Sequence, residues 1–392
     1  MTRLRDVLHV EHGWPFRSSE YADDDGRRPI VLAIGNFDYS GGFRFASSNV
    51  KTYAGEYPSQ YEAKPGDLMI VMTCQTSGGE ILGVPGRVPD DGRTYLHNQR
   101  IGKVVIDRPD LLDRDYFYHW AKTQHFNRQL FVTATGTKIL HTSPGRVGEA
   151  EIDLPDIRVQ RAIAEVLGAL DDKIAANNRV VTAADDLARI QYKHALGDGA
   201  SVPLSSLARF VNGRAYTKNA TGTGRMVVRI AELNSGVGGS TVYNDIEVPD
   251  DNLARPGDLL FAWSGSLTAA RWYRPEAIVN QHIFKVIPQG DVPMWLVNQA
   301  VHAKLEEFRA IAADKATTMG HIQRRHLDEP VVVPSSEEVA RLSPLMTGLW
   351  SSALSAEMEN ERLAATRDEL LPLLMSGKVT VKDAERTVSE AV

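Results

Sequence analysis

The chain has 392 residues, 43% of them hydrophobic and 24% charged, the composition of a globular protein of two to three domains. Its one cysteine, Cys74, excludes an internal disulfide framework and a thiolate zinc cluster, and its longest apolar runs, such as Leu259–Trp263, are too short to cross a bilayer. The formal net charge is -6, but 335–376 alone carries seven acids against three bases, so the other segments keep enough balance for basic patches that meet phosphate. The segment Met1–Asp6 is charged rather than apolar; no secretory signal is expected, and a cytoplasmic location is.

In chain order, the first pattern is Leu4 and Gly13 nine apart, followed by Phe16, then a β-like run Ile30–Ile34. Pro65-Gly66-Asp67 is a turn that opens the apolar run Leu68–Met72, which predicts a buried strand. Asn98-Gln99 and Lys103 close this set. From 156 to 196 the chain lacks proline, and apolar residues fall at steps of three and four: Ile163, Leu167, Leu170, Ile174, Val181, Ala184 and Ala188, with Asn177 on the same stripe. That spacing predicts a long helix with coiled-coil packing.

The whole pattern then repeats. Leu204 and Gly213 precede Tyr216; Met226–Ile230 is β-like; Pro256-Gly257-Asp258 opens Leu259–Trp263; Asn280-Gln281 precedes Lys285. Four signatures in one order imply an internal duplication. A second helical segment, 335–376, carries Leu342, Leu345, Leu349, Ala356, Leu363, Leu370 and Leu373 on its stripe, with Pro344 and Pro372 expected to kink its outer turns. Asn177 is either a register-setting polar residue or a point where the seam opens.

The fold class is therefore α+β: two similar mixed α/β globules, 1–155 and 197–334, separated by two long antiparallel helices, 156–196 and 335–376, with a pseudo-twofold internal repeat and a tail at 377–392. Each helix of about 40 residues would span roughly 60 Å. Two related globules at a fixed spacing suit a ligand that repeats along an axis, and duplex DNA is such a ligand. Loops that differ between the halves would read two different half-sites. The target is then bipartite and asymmetric, and adding or removing a helical turn in both helices should change the spacer alone.

Gly13-Trp14-Pro15-Phe16-Arg17-Ser18, the Pro-Gly-Asp turns and the Asn-Gln pairs resemble the specificity subunits of type I restriction-modification systems. Leu154-Pro155, Gln160, Ile163-Ala164, Leu167, Leu170-Asp171-Asp172-Lys173-Ile174 and Asn177 carry most of the likeness, and 363–377 resembles that family's ending. Pro334–Glu338 keeps the proline but lacks the glutamine. The resemblance implies that the globules are target-recognition domains on double-stranded DNA. It further implies that two copies of a methyltransferase subunit dock on the long helices, here assigned to Ile163, Leu167, Leu170, Ile174, Leu349, Leu363 and Leu370, and that restriction (motor-nuclease) subunits join them. No catalytic role falls to this chain. S-adenosylmethionine, ATP and magnesium would sit on the partners, and no cofactor or metal on this chain.

Residue chemistry agrees that catalytic motifs are sparse. There is no phosphate-binding G-x4-G-K-[ST] loop and no H-x3-H pair. Asp156 and the Asp171-x-Lys173 triplet imitate a nuclease set but lie about 22 Å apart on one predicted helix. Asn98-Gln99 and Asn280-Gln281 suit adenine edges, yet their identity in both halves favours a structural role, and His97 and His282 beside them read as strand-flanking. Base-reading groups should lie where the halves differ: Gln75 and Thr76 against Ser264 and Ser266, and 135–138, with Lys138, against 317–321, with His321. Arg17, Arg100, Lys218, Arg271, Arg324 and Arg325 are the candidate phosphate or guanine contacts. Three other readings stay open: a self-contained nuclease or methyltransferase with cryptic motifs, a specificity subunit of a differently organised restriction enzyme, and a protein-binding coiled-coil scaffold.

Overall fold

The Pro-Gly-Asp turns open strands because glycine supplies a left-handed residue and aspartate caps the turn. In the computed structural model, Gly66 has φ +79° and Gly257 φ +95°, and Asp67 and Asp258 accept from the main-chain N–H of Lys64 and Arg255. The structure describes residues 1–46, 49–197, 199–314 and 320–391. They divide into two compact units: unit 1 is 1–171 with 365–392, and unit 2 is 172–364.

In unit 1 the strand Leu68–Val71, buried at every position, lies inside a four-stranded antiparallel sheet ordered Leu8–His12, Ile101–Ile106, Leu68–Val71, Pro85–Arg87. A continuous apolar run with both faces covered is what such a central strand needs. Unit 2 repeats it as Ala208–Asn212, Ile283–Pro288, Leu259–Ala262, Thr268–Arg271. A second sheet also recurs. Ile30–Val31 runs parallel to Tyr95–Leu96 in unit 1, and Arg225–Val228 runs parallel to Ala277–Val279 in unit 2. A two-stranded ribbon ties each globule's first residues to its last, Thr2–Arg3 with Glu151–Ile152 and Ala200–Pro203 with Pro330–Val333.

Gly13 and Gly213 are fixed by close approach. A β-carbon on either would lie 2.3 Å from main-chain atoms of Asn98 or Asn280, where Trp14 and Arg214 bridge those asparagines in parallel. The halves differ in their helices. Unit 1 has Arg114–Ala121, capped by Asp113, and Gln124–Thr133, capped by Thr123. Unit 2 has in their place the longer helix Met294–Asp314, whose Trp295, Val301, Leu305 and Phe308 enter the core with Phe261 and Val286.

The long helices run Ile157–Ala195 and Ser336–Met375, the second unbroken through Pro344 and Pro372. Within unit 2 they are antiparallel: Asn177 lies against Glu359, while Ala188 and Tyr192 share a core with Leu342 and Met346. Asn177 Nδ2 donates to Glu359 Oε2 at 2.7 Å, so the buried amide is paired across the seam, as a register-setting residue requires. Within unit 1 Gln160 is fully buried. Its amide donates to Leu111 O and Pro155 O and accepts from Asp113 N, fastening the helix start to the globule. The second helix packs Val339 into the core five residues after its own proline. It ends where Gly377, φ +68°, lets Lys378 N bond Leu373 O. Beyond lies a helix, Val381–Ala391, in the segment expected to be a tail.

Candidate nucleic-acid interface

In each unit three distant segments are joined by main-chain bonds in the same order. In unit 1 Met72 N donates to Arg100 O and Thr142 N donates to Met72 O, both at 2.9 Å. In unit 2 Trp263 N donates to His282 O at 3.2 Å and Ile322 N to Trp263 O at 3.1 Å. Thr73–Cys74 then pairs with Leu140–His141, and Ser264 bridges His321 while Gly265 N donates to Gly320 O. The segments flanking the predicted base-reading stretches of unit 1, and Ser264 and His321 of unit 2, are thus brought side by side.

A hydroxyl–imidazole pair sits at each junction. Thr73 Oγ1 lies 3.0 Å from His141 Nδ1, and Ser264 Oγ lies 3.1 Å from His282 Nδ1. In unit 2 Trp263 adds an aromatic wall, its ring centroid 5.7 Å from that of His282 and 6.4 Å from that of His321, with its Nε1 held by Asn212 Oδ1. In unit 1 the hairpin 135–141 turns at Gly136, φ +112°, where a β-carbon would strike Ile139 O. That turn lifts Lys138 and Ile139 into solvent.

No family model matches the chain. It is 23% identical, over 176 residues and 44% of its length, to the type I restriction enzyme MjaVIII specificity subunit of Methanocaldococcus jannaschii. Over 193 residues, 47% of its length, it is 23% identical to the EcoBI specificity subunit of Escherichia coli. The matched segment spans 40% of the length of each of these relatives. Its fold is similar to the crystal structure of the type I restriction-modification S subunit from M. genitalium, with a TM-score of 0.58, 14% identity and coverage of 95% of this chain and 94% of that one. The chain resembles type I specificity subunits in sequence and in fold.

In this specificity-subunit-like fold Arg17, Gln75, Thr76, Arg100, Lys138, Lys218, Ser266, His321, Arg324 and Arg325 are exposed, and of these Arg100 and His321 lie in the joined segments themselves. Thr76 Oγ1 is held by Glu80 and Cys74, and Arg17 approaches Glu20 at 3.9 Å. Ser264 is buried by its pairing with His282, so only its neighbour Ser266 faces solvent. Thr317, Thr318 and Met319 lie outside the described residues. Sequence reasoning missed Trp263, Asn212 and His141. Trp263 was counted only as the end of an apolar run.

Arg271 is a correction. Its side chain is 4% exposed, lies 2.7 Å from Glu357 and 3.4 Å from Asp185, and stacks on the Trp350 ring at 4.5 Å. A guanidinium committed to two carboxylates and an indole is a clamp between globule and helices, not a phosphate contact. Burial raises the Glu357 carboxyl above its ordinary range despite Arg271. Unit 1 has its own clamp: Lys122 and Arg367 meet Asp171 at 2.9 and 2.7 Å. Burial pushes the Asp171 carboxyl up, and the two cations more than reverse it, leaving it below its usual value. Asp171 is thereby held in a structural ion pair, while Asp156 pairs with Arg158 and Lys173 with Glu359.

The helix stripe needs a second correction. Ile163, Leu167, Leu170, Leu363 and Leu370 are buried, and Ile174 and Leu349 half-buried, within the chain itself. The five buried ones are packing residues of the helices, and Ile174 and Leu349 are partly covered. The apolar side chains that the helices do expose are Val159, Val180, Leu187, Ile190, Leu345 and Met358. The Asn-Gln pairs act in turns: Ile101 N and Ile283 N donate back to Asn98 O and Asn280 O, starting the next strand. His97 is buried beside the first pair, bonded to Ile101 O at 2.7 Å, and burial lowers its pKa. Among the described residues no helix is long and apolar enough to span a membrane, and no group of three or more His, Cys, Asp or Glu is placed to hold a metal.

Proposed function

We propose that this chain is the sequence-reading subunit of a type I restriction-modification complex. Each unit reads one half of a bipartite, asymmetric target in double-stranded DNA. The observation that carries this reading is the same strand frame built twice around junctions of different chemistry: Arg100, Thr73 and His141 in one, His282, Trp263 and Ser264 in the other. A duplicated frame with unlike contact groups suits a two-part target whose halves differ. Exposed bases such as Lys138 and Lys218 would hold phosphates and set register, while the junctions read base edges.

The long helices would dock two methyltransferase subunits through their outer faces, and restriction subunits would join there. S-adenosylmethionine, ATP and magnesium would be bound by those partners and not by this chain, which would carry no catalytic step of its own.

Selection of duplexes from a random pool, using the full chain with the subunits that copurify with it, tests the reading. The expected product is two short unlike sequences at a constant separation. A single uninterrupted site, or no enrichment, would refute it. Turnover of labelled S-adenosylmethionine or cleavage of DNA by the chain alone would favour a self-contained enzyme.

A further inference from the structure

We propose that Arg100 and His282 are equivalent positions that give the two units different base preferences, with Arg100 reading a guanine in the half-site of unit 1. This rests on the DNA-reading function proposed above and names the residues that set its specificity.

Their equivalence is carried by the backbone. Each follows an Asn-Gln pair and precedes an isoleucine that starts a central strand, and each offers its carbonyl to the end of the neighbouring strand, at Met72 N or Trp263 N. The flanking residues do the same work in both units: the asparagine closes the turn, and the lysine two residues beyond the isoleucine pairs with the Pro-Gly-Asp carboxylate at 3.0 Å. Two positions between them differ: Gly102 against Phe284, both buried, and Arg100 against His282, which lie outside the core and differ in the chemistry that matters for base edges.

Arg100 is exposed, and its guanidinium donates no hydrogen bond within the described residues. Its own N–H is held by Asn98 Oδ1 at 3.0 Å, which fixes the backbone from which the side chain projects. The Tyr21 phenol lies within its electrostatic reach. A two-pronged donor on a fixed backbone matches guanine O6 and N7. His282 instead presents one imidazole nitrogen, because Nδ1 is taken by Ser264. Beside it the side-chain oxygens of Asn280 and Gln281 are buried, so neither reaches a base edge and the imidazole is the group this junction presents. Unit 2 therefore offers a single imidazole nitrogen where unit 1 offers a fork, and the two cannot favour the same base pair equally.

Duplex selection from a random pool with the wild-type complex, R100Q and H282R tests this, with circular dichroism and thermal melting to confirm folding. The expected result is that R100Q loses a guanine at one position of one half-site by roughly ten- to hundred-fold, that the other half-site is unchanged, and that H282R gains guanine preference in that other half. If R100Q weakens all sequences alike, Arg100 is a phosphate contact and the inference fails. If enrichment is unaltered, it is a solvated side chain and the inference fails. Both results leave the DNA-reading function standing. If the wild-type complex enriches no sequence, that function fails and takes this inference with it.

Discussion

Lys285 Nζ lies 3.0 Å from Asp258 Oδ2 and 2.6 Å from Leu253 O, with its side chain 8% exposed. Lys103 and Asp67 repeat the ion pair at 3.0 Å in unit 1, where the lysine is 25% exposed. Two sequence signatures that recur together, the Pro-Gly-Asp turn and the lysine after Asn-Gln, are thus two ends of one contact. Removing one partner of a buried pair strands the other. Lys285→Met should cost unit 2 about 3 kcal/mol, and Lys103→Met, closer to solvent, about 1 kcal/mol or less. Urea unfolding of both variants checks the ranking, and equal losses would contradict it.

Arg271→Met should destabilise unit 2 by about 3 kcal/mol, because Glu357 is left buried without its guanidinium. The folded variant should select the same DNA sequence as the wild type. A change in selected sequence without loss of stability would restore Arg271 as a DNA contact.

Gly13→Ala and Gly213→Ala should each cost about 2–3 kcal/mol. The new methyl meets main-chain carbonyl atoms of Asn98 or Asn280, which cannot rotate away. Gly238→Ala, with open space around it, is the control for thermal melting.

His119 is buried, its Nδ1 lacks a hydrogen-bond partner, and burial, with Lys122 second, lowers its pKa from 6.5 to about 3. The folded state resists a proton that the unfolded chain accepts. Its contribution is complete above pH 6.5 and is lost progressively as pH falls toward 3, amounting to about 2 kcal/mol between pH 7 and 5. His119→Phe should remove that portion of the slope in unfolding measured across this range.

Lys138 and Lys218 are exposed. If each meets a phosphate, Lys138→Ala and Lys218→Ala should weaken binding to all sequences alike and reduce the salt dependence by about one charge each. Affinity measured at several salt concentrations reads this directly.

The duplication was legible because its signatures are local. A left-handed glycine after proline, a glycine against a carbonyl and a buried apolar run each impose residue types on a few adjacent positions. The helices were legible because a three-four stripe declares one buried face. The partner of that face was not legible: Ile163, Leu167 and Leu170 look alike whether they pack on this chain or another.

Local chemistry by itself determined the α+β class, the repeat and the candidate loops. Only the tertiary structure decided which polar groups are spoken for. Arg100 and Arg271 are both arginines near strand ends, but Arg271 is buried by Asp185 and Glu357, each 86 residues away, while the Arg100 guanidinium donates no hydrogen bond within the described residues. The fate of a charge depends on what folding brings beside it, and no short window of sequence contains that information.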